Sequence, residues 1–373
     1  IVLGPNAHQG SLHCRATGAA GMAANALHTG PAARAEPRRR ARRVGRQNAA
    51  IGGAAAIVVG LVAPWVPGCR ACDPGDETAT IRWASSSNRL YVGTSGPGCI
   101  TLGDIYTLRL GSFGLPMGPL FQAEGENTWL LTSELFVQNG SVLELHGSAV
   151  GGDCDELRLL SNDATQVHVR AYGGNVSVSH AKVFSWDDTL DPPGVDTNAS
   201  DGRAYLAAIS ELGPYVSTQT GESRLDIVSS EVAYLGSPAA TETAGLVWRV
   251  RGFNGNNTDL FDSVNVYGDL RESDLHHNFH GPYAAAGLQS ANWSYNTVHD
   301  NTEYGLDLQD DSDDVTVHNN TIYNNGESGI MASGRCSGLS VERNWVFNCS
   351  GGGVEVARSS DNASVVGNTC VGN

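Results

Sequence analysis

Between Glu303 and Asp314 the chain reads EYGLDLQDDSDD, six carboxylates and one tyrosine around a short apolar strand. Alternation about Leu306 and Leu308 sends Asp307 and Gln309 to one outward face, where a linear polymer could lie. A carboxylate in mid-strand beside Tyr304, with Arg335 nearby in sequence, suits acid/base or charge work. The tyrosine has an ordinary pKa of about 10 and acts as a base only next to positive charge, which Arg335 would supply. Asp310, Asp311, Asp313 and Asp314 follow at the strand end. They read first as a solvated turn and second as a calcium loop, because hard cations collect oxygen ligands from such turns. No other cofactor is indicated. His276 and His277 in DLHHNFH, with His280, do not make a zinc set, since neighbouring strand residues face opposite ways and at most two could share a ligand.

These residues sit inside a repeat. Asn296, Asn320, Asn344 and Asn368 recur every 24 residues, and nine residues after each of the first three comes a glycine that opens a strand: Gly305, Gly329 and Gly353. Asn278 and Gly287 fit the same frame, with a step of only 18 to Asn296. A 24-residue period holding several short alternating strands predicts an all-β chain, a right-handed parallel β-helix with one repeat per coil. Coils stack at ~4.8 Å, so equivalent asparagines form a ladder of amide hydrogen bonds. Leu288, Leu306, Ile330 and Val354 face the core in this frame. One outward ladder is Gln289, Asp307, Met331 and Glu355; a second is Ala291, Gln309, Ser333 and Ala357. Arg335 and Arg358 follow the next two strands and would bring positive charge to the same face.

Upstream the pattern continues in SVLELHG, ELRLLS, QVHVRA and NVSVSH, so the β-helix domain spans 129–373, with 67–128 as an N-terminal cap. Residues 187–223 and 249–263 read as loops leaving the helix. The sequence opens on Ile1 and stops in mid-pattern, so it reads as truncated at its C-terminus. A basic, low-complexity stretch over 1–48 precedes an uncharged run at 49–66, which reads as a signal peptide or signal anchor. The protein is therefore expected in the extracellular matrix or cell wall, secreted or anchored by 49–66, touching a membrane only there. Eight N-x-S/T acceptors, from Asn139 to Asn362, add mild support. Eight cysteines follow no metal spacing beyond CRAC at Cys69–Cys72. After residue 70 the chain holds 14 basic against 38 acidic groups, which excludes nucleic acid as a partner. A monomer is expected.

In seven ordered blocks after Cys99, among them SVLELHGSAVGGDCDELRLLSN, FDSVNVYGDLRESDLHHNFHG, YGLDLQDDSD and HNNTIYNNGESGIMASGRC, the chain resembles the mannuronan C5-epimerases, especially the brown-algal branch. The resemblance implies a secreted β-helix glycoprotein that acts on polymannuronate, the alginate precursor, turning mannuronate into guluronate by moving the C5 proton. It implies catalytic roles for Tyr304 and Asp307, with Arg335 neutralising the sugar carboxylate. Gln289, His280, Met331, Ser333, Glu355 and Arg358 would line the polymer. Gln309 stands where the family carries histidine, and Pro282, Leu288 and Ser328 replace further histidines. A neutral amide can hydrogen-bond to a sugar but cannot accept a proton near neutral pH. An alginate lyase, expelling the 4-linked sugar from the same carbanion, and a silent alginate-binding homologue remain as alternatives.

Overall fold

The computed structural model describes residues 12–13, 72, 76–113, 120–122, 126–212 and 221–373. The signal segment 49–66 and nearly all of 1–48 lie outside the described residues. One compact unit holds 69–373, and the other, 17–68, falls among residues not described.

Successive short strands are dealt in turn to three parallel sheets, so each circuit of the chain adds one strand to every sheet. Chain order through a late coil shows the pattern: Leu306–Gln309 joins the first sheet, Thr316–His318 the third and Thr321–Tyr323 the second. The next coil repeats it with Ile330–Ser333, Ser340–Glu342 and Trp345–Phe347. This is a right-handed β-helix. Parallel stacking begins at Arg89–Val92, in register with Glu134–Val137, and at Cys99–Thr101 against Val142–His146. The helix thus starts some forty residues before the expected boundary at 129. The segment expected to cap it contributes strands of its first coil, plus the helix Leu102–Phe113. Cys72 is joined to Cys99 by a disulfide.

Alternate apolar residues of the strands point inward, mostly one in the three-residue strands and two or more in the longer ones, and they stack coil on coil. Leu306, Ile330 and Val354 form one column of the core, and Trp293, Val317 and Val341 another, all at most 1% exposed. Each such side chain contributes about 1.5–3 kcal/mol of burial. Trp248 and Trp293 pack at 5.3 Å in the interior, and each indole N–H donates to a backbone carbonyl, of Leu225 and Gly268 respectively.

Two asparagine ladders fix the turns. Asn296, Asn320, Asn344 and Asn368 are linked side chain to side chain and side chain to backbone at 2.9–3.0 Å. The residue before each is left-handed, at φ 58°, 55°, 52° and 67° for Tyr295, Asn319, Arg343 and Gly367, which bends the chain from the third sheet to the second. Asn278 does not belong to this column. It tops a second ladder through Asn301 and Asn325, whose next position is Cys349. The first column continues upward to Ser273, whose N–H donates to Asn296.

The expected loop at 187–223 is only partly a loop. Tyr205–Glu211 within it is a strand of the first sheet, between His168–Tyr172 and Gly245–Arg251. It is apolar on both faces because an outer cluster of Tyr205, Ala207, Ile209, Ala244, Val247 and Ala285 covers it. The second expected loop begins after Arg251 and carries a 3-10 turn at Thr258–Asp262.

Candidate active site

The first sheet supplies the site. His280–Ala286 pairs with Leu306–Gln309, setting Tyr283 beside Asp307 and Ala284 beside Leu308. The next coil places Met331 beside Asp307 and Ser333 beside Gln309, and Glu355 follows Met331. The outward ladder is therefore Tyr283, Asp307, Met331 and Glu355. Gln289, expected as its first rung, lies elsewhere: it bridges to Asp313, and its amide donates to the Asp311 carbonyl. The shift has a backbone cause. Gly281, not Gly287, is the true counterpart of Gly305, because a side chain on Gly281 would meet the Gly305 carbonyl at 1.8 Å. Ala291 is likewise absent from the second outward ladder and sits in the core.

Asp307 leaves the helix core as expected, yet it is 0% exposed, because its neighbours cover it. Its Oδ2 accepts from Gln309 Nε2 at 2.8 Å and lies 3.4 Å from His280 Nε2. Its Oδ1 and His280 Nδ1 are both buried without a partner. The His280 ring stacks between Tyr283, at 4.4 Å, and Tyr304, at 5.3 Å. Burial, opposed by the Gln309 hydrogen bond, raises the Asp307 pKa to about 8. The same burial lowers His280 to about 4. Both groups are consequently neutral near pH 7, which explains how a carboxyl and an imidazole sit this close without acting as an ion pair. Tyr283 and Tyr304 are pushed above the ordinary phenol value, by burial first and the Asp307 charge second.

The sequence thus named four of the five assembled residues: His280, Tyr304, Asp307 and Gln309. It missed Tyr283, which sits in HGPYAAA, a stretch without alternation. Met331 and Ser333 occupy the next coil as expected. Glu355 lies one coil further, its Oε1 accepting from Ser328 and from the Gly352 N–H.

Arg335 is not part of this group. Gly334 and Arg335 are both left-handed, at φ 80° and 71°, which turns the arginine away from the strand face. Its guanidinium binds Asp311 at 2.7 and 2.9 Å and Asp310 at 3.3 Å. Arg358 repeats the turn one coil later, is exposed, and accepts the Arg335 N–H on its carbonyl. The aspartates read first as a solvated turn and second as a calcium loop find partners within the protein. Asp313 accepts from the Ser337 N–H, while Asp310 and Asp311 hold Arg335. Among the described residues no three His, Cys, Asp or Glu side chains converge as a metal set. His276 and His277, expected on opposite faces, meet at 2.8 Å because His277 is left-handed at φ 54°. Their third neighbour is His299, which stacks on His276; His280 belongs to the first sheet.

A profile of the right-handed beta helix region family matches residues 251–373. No curated protein matches the chain. Among solved structures, the periplasmic alginate epimerase AlgG aligns at TM-score 0.54 and 16% identity, over 70% of this chain and 54% of that one. A mutant of the same enzyme with one aspartate replaced by alanine aligns at TM-score 0.55 and 16% identity, over 71% and 55%. The likeness is one of fold. The chain spans about half the length of these structures.

Proposed function

We propose that the protein is a polyuronate epimerase that inverts C5 of mannuronate residues in polymannuronate. The observation that carries this reading is the neutral His280–Asp307 pair, buried on the outer face of the first sheet between two phenols. The fold likeness to an alginate epimerase adds weight. Inversion at C5 needs a base on one face of the sugar and an acid on the other.

The pair supplies the base. When Asp307 is ionised, His280 Nε2–H can donate to it and Nδ1 is left with a lone pair for the C5 proton, which requires that the cover over Nδ1 open when the polymer binds. The C–H electrons pass into the sugar carboxylate. The proton ends on the pair, held by the Asp307 carboxyl, which burial raises to about 8, rather than by the imidazole, which burial lowers to about 4. Asp307, wholly covered, does not meet the sugar; it positions His280 and stores charge. Tyr304, half-exposed with a raised pKa, stays protonated and is the proton donor of this reading. Because its ring stacks on His280, the sugar ring has to reach the edge between its hydroxyl and the imidazole for the two to act on opposite faces. Gln309 holds Asp307. The histidine that the sequence lacks at 309 is in this account supplied by His280, from the preceding coil. The Cys72–Cys99 disulfide fits an oxidising, secreted setting.

The test is proton NMR of polymannuronate incubated with the protein in D2O. Guluronate signals with deuterium at C5 are expected. Unsaturated chain ends would replace this reading with a lyase, and an unchanged polymer that is nevertheless bound would replace it with a silent binder.

A further inference from the structure

Resting on that reading, we propose that Arg249, rather than Arg335, receives the carboxylate of the sugar being processed. A uronate gives up its C5 proton only if the charge that develops on its carboxylate is met by a cation or hydrogen-bond donor. Arg335 has its Nε and Nη2 engaged by Asp310 and Asp311, whose two carboxylates offset its charge. On the other side of Asp307, three arginines approach Glu242. Arg251 binds it through two bonds, at 3.0 and 2.6 Å. Arg170 donates to the Tyr205 hydroxyl at 2.7 Å and lies 3.5 Å from Glu242.

Arg249 differs from both. Its nearest approach to Glu242 is 3.7 Å, beyond hydrogen-bond range, and its side chain is 28% exposed. It points outward two residues after Val247, which pairs with Tyr283. Directly across from it the site strand has Ala286, at an irregularity in the pairing that follows Ala284, and Ala284 in turn pairs with Leu308, the residue before Gln309. The intervening strand carries small residues here, Ala284, Ala285 and Ala286, between the Arg249 row and the strand of Gln309. Two coil steps of ~4.8 Å lie between the strands of Arg249 and Asp307, a span that a guanidinium and a sugar ring can share. The charge of Arg249 already reaches the site, since it opposes the upward shift of Tyr283. A planar guanidinium with free donors matches a carboxylate bidentately.

The experiment measures binding of polymannuronate oligomers and of their carboxyl-reduced, neutral counterparts to wild type, Arg249→Gln, Arg249→Lys and Arg335→Gln, with folding followed by thermal melting. Arg249→Gln should weaken the acidic oligomer about 10- to 100-fold, the range for a charge-assisted hydrogen bond, and leave the neutral one unchanged. Arg249→Lys should recover part of the loss, and Arg335→Gln should show little. Equal losses for both oligomers, no loss in Arg249→Gln, or a larger loss in Arg335→Gln would overturn the assignment. If wild type ignores polymannuronate but binds polygalacturonate, the functional reading fails while the same variants on that polymer still decide Arg249. Wild type binding no polyuronate overturns both.

Discussion

On the first sheet, the coils before Asp307 and those after it share one backbone and carry opposite dress. Before it the outer face bears Arg170, Arg249, Arg251 and the rings of Tyr172, Tyr205 and Tyr283. After it come Met331 and Glu355, and the adjoining turns add Glu303 and Glu327, which with Glu355 and Asp307 bear on the Tyr304 phenol. A repeat therefore fixes where side chains stand but not what stands there, and the chain has used that freedom to give a uniform scaffold two ends. The arginines gather before Asp307, around Glu242, and the carboxylates that bear on Tyr304 gather about and after it, and on the proposed function that contrast would be felt by a polyanion laid along the sheet.

The largest expected effect removes the carboxyl between the two sides. Asp307→Asn should cost 10²- to 10⁴-fold in guluronate formation, the usual contribution of a proton-transfer group. Wild-type turnover should rise with pH through about 8, as Asp307 loses its proton, and the variant should lose that rise. Stability carries the opposite sign. The carboxyl has a folded pKa of about 8 against the ordinary 3.8, so the wild type loses stability as pH climbs from about 4 to 8. Asp307→Asn should melt higher than wild type at pH 9 and by a smaller margin at pH 5. A margin that does not grow with pH would mean that Asp307 is ionised in the folded chain.

Next in size, Asn320→Ala tests the scaffold beneath both sides. It strips the buried Asn296 N–H of its acceptor and leaves the Trp293 carbonyl without its amide donor. The loss should be about 2–3 kcal/mol by denaturant unfolding, from two unsatisfied buried groups. A smaller effect is expected from charge. Glu303→Gln with Glu327→Gln should strengthen polymannuronate binding a few-fold at low ionic strength and not at high, because partly exposed charges are screened. An improvement that survives salt would point to shape rather than repulsion. The smallest is Cys349→Asn, which restores the amide missing from the second ladder and should raise stability by up to about 1 kcal/mol in thermal melts.

The sequence disclosed the helix where coils are uniform. From Asn296 onward the period of 24, the core column of Leu306, Ile330 and Val354, and the first asparagine ladder could all be counted off. It misled where one rung changes chemistry. Ser273 takes the ladder position above Asn296, so an asparagine frame slides to Asn278, which belongs to the other column, and carries Gln289 into a row that Tyr283 fills. Tyr205–Glu211 stayed hidden because a strand covered on both faces has no polar alternation to read. Arg335 was misplaced for a backbone reason. Two consecutive left-handed residues end the strand face before it, and neither composition nor spacing reports a dihedral angle. The burial of Asp307 depends on rings contributed by different coils, which lies beyond any local pattern.

The glycine column that begins at Gly281 and continues through Gly305, Gly329 and Gly353 has a consequence for how such a molecule can change. Gly281, Gly305 and Gly329 each let the backbone pass against the carbonyl of the next glycine in the column, so the column works as a gauge that keeps successive strands in line. Twenty-four residues added together would extend the groove and leave every column in line. One residue added within a strand would move the next outward side chain into the core and the next core side chain into water, whereas residues added at a turn, as after Arg251, leave the columns in line. Variation in length and variation in chemistry are thereby separated: the sheet can grow by copying, while the outward residues change one at a time on a face the copying leaves untouched.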